Sequence, residues 1–239
     1  MEETIMYNPP EVPRTFHQLG ILVLDGSGSM GAKGRQGLTK AQEVAMAVQE
    51  LFNRFNVSNV KNNFSFAGIK FDNSPEVIVE PTKFTELDYM NIDWNPMNGK
   101  GGGTHIFDAL EEAKRMAEEF LQGAPEGGVK HSVVILLMSD GLCFNPERTK
   151  SVADEIKANP DIVIASAYFA ELGQIDPDAS QIKNLLQQVA TDPEKYYSTV
   201  YDGDALRKFF ERSISQSSGI GRLDSEIQVP SGVTSGRNL

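Results

Sequence analysis

Three oxygen-bearing side chains occupy alternate positions in one short stretch: Asp25, Ser27 and Ser29 of LGILVLDGSGSMGAKG, Leu19 to Gly34. An aliphatic run ends there in an ionisable group, and the chain then alternates glycine with serine. Three chemistries use turns of this composition: a loop that cradles phosphate, a nucleophile on a sharp turn, and a set of oxygen ligands for a hard metal ion. The phosphate pattern G-x-x-x-x-G-K-[ST] starts at Gly26 and reaches Gly31, but it needs lysine where Ala32 stands. The hydrolase pattern G-x-S-x-G fits neither Ser27 nor Ser29, because neither has glycines on both sides at that spacing. An aspartyl phosphatase built on Asp25 as nucleophile needs a second acid two residues later, and that residue is Ser27.

A second aliphatic run, HSVVILLMSDG, also ends in an aspartate, Asp140, and between the two runs lies GGGTHIFDAL with Thr104. Short apolar runs alternate with segments of helical periodicity along the chain. That alternation predicts a doubly wound α/β fold: a mostly parallel central sheet with helices on both faces. Strands of such a sheet aim their carboxyl ends at a common crevice. The expected result is Asp25, Ser27, Ser29, Thr104 and Asp140 within reach of one point. Two carboxylates with neutral hydroxyls suit Mg²⁺, with Mn²⁺ or Ca²⁺ as alternatives, and lack the sulfur and imidazole ligands that zinc prefers. Only two formal negative charges would face the dication. It would therefore stay electrophilic and accept one more anionic ligand, such as a partner's carboxylate.

The positioning elements read as follows. Leu19 to Leu24 is the first buried strand. Thr39 with Gln42 can form a capping box that opens a helix with Val44, Val48, Leu51, Phe52 and Phe55 on one face. NNFSFAGIKFDN is a second strand. EVIVEPTKF follows it too closely for a crossover and is expected as an antiparallel edge strand, where Pro81 is tolerated. Residues 85–103 read as irregular. Helices are expected over about 105–121, 146–158, 178–190 and 204–215, with strands at HSVVILLMS, DIVIASAYFA and YYSTVY between them. Residues 1–16 read as an N-terminal extension, 17–216 as the domain, and 217–239 as a Gly/Ser-rich C-terminal tail.

Composition narrows the function classes. The 239 residues carry a formal net charge of −11, which disfavours nucleic-acid binding. The single cysteine, Cys143, rules out an internal disulfide framework and suits a reducing compartment. The start of the sequence has acids and prolines where a signal peptide has a basic region and an apolar core. No apolar run approaches the length of a membrane span. The expectation is a cytoplasmic, soluble protein.

With these residues in view, the chain resembles von Willebrand factor type A domains that carry a metal-ion-dependent adhesion site. The family pattern D-x-S-x-S, then a threonine, then an aspartate in D-G, is matched by Asp25 to Ser29, Thr104 and Asp140, and the likeness covers roughly Gln18 to Ile214. The resemblance implies a cation-dependent protein-binding module rather than an enzyme. Its bound ion would capture an Asp or Glu of a partner. It is similar to intracellular bacterial members near tellurium-resistance stress proteins, which implies a stress or defence complex and partners such as a kinase and phosphatase pair or a tellurium-resistance protein. The alternative is a Mg²⁺-dependent phosphoryl-transfer enzyme using Asp25 and Asp140, for which Lys33 and His105 are the nearest candidate helpers. Thr104 is expected to cap its helix as well as present a lone pair. Asp72 and Asp108 read as ordinary surface carboxylates, His17 and His131 as structural or solvated, Cys143 as a part-buried thiol, and Met30 and Trp94 as either packing or rim residues.

Overall fold

The computed structural model describes residues 16–34, 37–123, 128–171, 173 and 176–219. Its strands are β1 (Phe16–Asp25), β2 (Phe64–Phe71), β3 (Pro75–Lys83), β4 (Lys130–Ser139), β5 (Ile162–Phe169) and β6 (Tyr197–Val200). Its helices are α1 (Lys40–Asn56), α2 (Ile106–Gln122), α3 (Pro146–Lys157), α4 (Ala179–Val189), the single turn α5 (Pro193–Tyr196) and α6 (Gly203–Ser218). The sheet order is β3-β2-β1-β4-β5-β6. All neighbours are parallel except β2 and β3, so the edge strand runs antiparallel as expected. Pro81, which has no N–H to give the ladder, falls where the β2–β3 register slips between the Phe66–Thr82 and Gly68–Val79 pairs. Of the N-terminal extension and the C-terminal tail, all but Phe16, the end of α6 and Gly219 lie outside the described residues.

The period of two along a strand divides the core. Leu22 and Leu24 of β1 and Val134 and Leu136 of β4 face α1 and α6, where Val48, Phe52, Phe55 and Phe210 meet them. Ile21 and Val23, with Val133 and Ile135, face α2, α3 and α4 on the other side. Burial on both faces explains why the central strands read as unbroken aliphatic runs. At the start of α1, Thr39 Oγ1 accepts from Gln42 N while Gln42 Oε1 accepts from Thr39 N, so the predicted capping box forms.

The chain leaves β1 for α1 on one face and returns to β4 from α2 on the other. Between β1 and β4 the winding direction reverses, and the loops after these two strands diverge to leave a crevice at their carboxyl ends. Register carries both aspartates to that edge, since Leu24 pairs with Met138 and Asp25 and Asp140 follow within two residues.

Candidate metal centre

Asp25 closes β1 and is completely buried. Its Oδ1 accepts from the Ser27 amide at 2.8 Å and its Oδ2 from the Ser139 hydroxyl at 2.5 Å. Burial, and then the nearby negative charge of Asp140, push its carboxyl up to about 7 even though the Ser139 and Ser27 bonds pull the other way. A carboxylate held in this state gains greatly from a cation. In the turn that follows, the Ser27 and Ser29 hydroxyls lie 3.1 Å apart, and Ser29 Oγ donates to Asp140 Oδ1 at 2.5 Å.

Thr104 completes the cluster from the opposite loop. A methyl group on Gly141 would lie 2.7 Å from Thr104 Oγ1, 3.4 Å from Ser29 Oγ and 3.5 Å from Ser27 Oγ. Three hydroxyls therefore converge below the Gly141 backbone, and only glycine leaves them room. Gly26 is constrained in the same way from another side, because a Cβ there would stand 2.2 Å from the Pro96 carbonyl oxygen. The irregular 87–103 segment is thus a packed buttress over the ligand turn. Trp94, 1% exposed, anchors it against Phe52 and donates its indole N–H to the Tyr89 carbonyl.

The turn between β2 and β3 fixes the Thr104 loop. Asp72 Oδ2 accepts from Gly102 N at 3.1 Å, Asn73 Oδ1 from Gly103 N at 2.8 Å, and the Asp72 carbonyl from His105 N at 2.9 Å. Asp72 is therefore no ordinary surface carboxylate. Burial alone would push its carboxyl up, but the Gly102 and Ser74 amides and Lys100 outweigh burial and hold it below the usual range. The expected cap at Thr104 is also corrected. The N-cap of α2 is His105, which makes no side-chain capping bond, because the bond from His105 N to Asp72 carries the chain one residue further before it coils.

Lys40, which the sequence did not single out, lines the crevice. Its side chain is 7% exposed, and its ammonium donates to Asp140 Oδ2 at 2.7 Å and lies 3.2 Å from Glu171 Oε1. Burial pulls this lysine down, and the two carboxylates more than restore it, so it stays charged. A signal was present: a lysine in the first turn of a helix opposes the helix dipole and needs an anion nearby. Ser139, immediately before Asp140, was missed as well.

The crevice so formed encloses about 500 Å³. A slightly larger groove, about 580 Å³, runs between α1 and α6 past Met46 and Glu50, but it contains none of the predicted ligands. Among the described residues no group of three His, Cys, Asp or Glu side chains is placed to hold a metal. A metal here must rely on the hydroxyls together with two carboxylates, a donor set that fits a hard cation and not zinc. Each carboxylate oxygen has a second lone pair beyond the bonds described, so the existing contacts leave capacity for an ion.

Around the mouth, Phe144 is 74% exposed and stacks on His105 with ring centroids 4.7 Å apart, and Leu142 beside it is exposed too. Phe144 N donates to the Thr104 carbonyl at 3.0 Å, which ties this rim to the site. Met30 and Trp94 are buried and belong to the core, while Cys143 is a buried thiol 3.1 Å from Thr149 Oγ1. Asp108 lies on the exposed side of α2 near Arg148, as expected of a surface acid.

The von Willebrand factor type A domain model matches residues 21–212. Among solved structures, the vWF domain of the type V pili tip protein Mfa5 from Porphyromonas gingivalis superposes with a TM-score of 0.62 at 15% identity, covering 87% of this chain and 97% of that one. The pilus adhesin SpaC from Lactobacillus rhamnosus GG gives 0.63 at 15% identity over 85% of this chain, which spans 30% of the SpaC chain. Manganese-loaded Plasmodium vivax TRAP protein gives 0.58 at 18% identity over 83% of this chain and 74% of that one. At these identities the likeness speaks for the fold alone. Among curated proteins none matches. With the family model spanning most of the described residues and the β3-β2-β1-β4-β5-β6 sheet beneath it, the chain belongs to the von Willebrand factor type A domain family.

Proposed function

We propose that the crevice binds a divalent cation, Mg²⁺ with Mn²⁺ or Ca²⁺ as alternatives, through Asp25, Ser27, Ser29, Thr104 and Asp140, and that the ion captures a carboxylate from a protein partner. The convergence of three hydroxyls and Asp140 beneath Gly141 carries this reading. When bound, the ion supplies the electrophile that an outside Asp or Glu completes. The protein's own groups fix its place: Ser139 and the Ser27 amide hold Asp25, and Asp72 and Asn73 hold the Thr104 loop. Leu142 and the Phe144–His105 stack offer the partner an apolar shoulder beside the ion.

The manganese-loaded state of one structural relative and the adhesin role of another support extending cation-dependent binding to this chain. Our reading places the protein in the cytoplasm, on its single cysteine and acidic composition, within a bacterial stress or defence complex. Partners in that setting are a kinase and phosphatase pair or tellurium-resistance proteins. No helix among the described residues is long and apolar enough to cross a membrane. The phosphoryl-transfer alternative requires a cationic clamp for the transferred group, and Lys40, the cation at the mouth, is instead committed to Asp140 and Glu171.

Thermal melting tests the reading. Relative to EDTA, Mg²⁺ at tenfold over its Kd should stabilise the protein by roughly 1.4 kcal/mol through mass action, and Asp25→Ala should fold but lose that gain. Equal melting temperatures in EDTA and in 10 mM Mg²⁺ and Mn²⁺ would refute cation binding.

A further inference from the structure

Lys40 begins α1, where the helix dipole repels a cation, yet its ammonium is buried against Asp140 and Glu171. Resting on the metal reading above, we propose that Lys40 is a built-in counter-ion that weakens the site's hold on its cation and makes that hold depend on an outside carboxylate. It acts as a positioning residue, through Asp140.

The contacts divide Asp140 in two. One oxygen accepts from Ser29, a predicted metal ligand, and the other from Lys40. Lys40 is also fastened to the ligand turn by its backbone, since its N–H donates to the Ala32 carbonyl at 3.0 Å. The backbone bond fixes where the lysine stem leaves the helix, and Asp140 and Glu171 hold its ammonium. Another buried lysine in the molecule, Lys70, shows a different arrangement: its partner Asp93 is half-exposed and binds loop amides rather than a predicted ligand.

Formal charge gives the consequence. Asp140, Glu171, Asp176 and Asp178 line the crevice above Asp25, and among the described lining residues Lys40 alone returns a positive charge. Without Lys40 the same site would face its dication with one more unit of negative charge. It would bind the ion more tightly and repel an incoming carboxylate. With Lys40 in place, the ion is held less strongly by the protein alone and gains more from a partner's acid. A simple structural ion pair would support the fold without changing either quantity.

Calorimetric titration with MnCl₂ at matched ionic strength, with and without sodium acetate, tests this on the full chain. Wild type should bind Mn²⁺, and more tightly with acetate. Lys40→Gln keeps a hydrogen-bond donor to Asp140 and removes the charge; it should bind Mn²⁺ about tenfold tighter without acetate, the scale of one unit charge on a dication across a carboxylate at near-aqueous dielectric. Its gain from acetate should shrink. Folded Lys40→Gln with unchanged or weaker Mn²⁺ affinity, or with an undiminished acetate gain, would overturn the role of Lys40 while leaving metal binding intact. Wild type without Mn²⁺ binding would overturn both. If Lys40→Gln does not fold, Lys40→Met, which keeps the buried stem and removes the charge, gives the same decision: Mn²⁺ should bind about tenfold tighter without acetate, and unchanged affinity contradicts the proposal.

Discussion

The two ends of β1 place polar groups in comparable positions and treat them in opposite ways. At its start, His17 Nε2 lies 2.9 Å from Ser65 Oγ, and the His17 ring meets His131 edge-on, with centroids 5.5 Å apart and Phe120 stacked behind. Gln18 there is within 3.0 Å of Ser217 Oγ on α6. These groups pack against one another as a lid on the sheet's floor. At the other end, Asp25 is buried beside a second carboxylate, with glycines at Gly26 and Gly141 holding the walls too close for any side chain. Ring and hydroxyl groups at a strand end serve packing; carboxyl groups gathered beneath converging hydroxyls strain the metal-free fold, and such strain is expected at a functional site.

The largest effect that separates the two ends is electrostatic. Asp25 titrates near 7 in the fold against 3.8 when unfolded, so the folded state holds its proton more tightly. Its contribution to stability is fully present below about pH 4 and is lost as pH rises through about 7. In chelator, Asp25→Asn should therefore gain on wild type across that window, by on the order of 4 kcal/mol at its top. Subtracting the two urea melts at each pH cancels carboxylates that act in the opposite direction, such as Asp72 and Asp204. A flat difference would show that Asp25 is not held under strain.

A steric change at the same end comes next. Gly26→Ala drives a methyl group into the Pro96 carbonyl and should destabilise the protein by about 2–3 kcal/mol while displacing the ligand turn. Chemical denaturation measures the first and Mn²⁺ titration the second. A neutral result would mean that the 87–103 buttress yields freely. The smallest effect belongs to the opposite end. His131→Phe keeps the ring against Phe120 and removes Nδ1, which is buried with no hydrogen-bond partner among the described residues. Stability should stay within about 1 kcal/mol, and Mn²⁺ affinity should not change. A shift in affinity would contradict the separation of the two ends.

What the sequence disclosed follows the range of the interactions involved. The doubly wound sheet was legible because burial on both faces writes itself as aliphatic runs, and the Thr39–Gln42 capping box because it spans three residues. Asp25, Ser27 and Ser29 were legible for the same reason, as a spacing within five residues. The groups that hold them were not. Ser139 reaches Asp25 across 114 positions, and Lys40 reaches Asp140 across 100. Asp72 passed for a surface acid because its partner, the Gly102 amide, lies 30 residues away and comes near only after β2 and β3 have turned. Thr104 was misread as a cap because the start of α2 is decided by that same tertiary bond. His17 and His131, widely separated in the chain, become neighbours only through the β1–β4 register.

Anomalous scattering from crystals soaked in Mn²⁺ tests the central claim most directly. The expected result is one strong peak in the crevice, within bonding distance of the Ser27 and Ser29 hydroxyls and below Gly141, absent from crystals of Asp25→Ala. A well-soaked wild-type crystal with no peak there, or with its only peak at another acidic surface, would contradict the metal centre and the carboxylate capture built upon it.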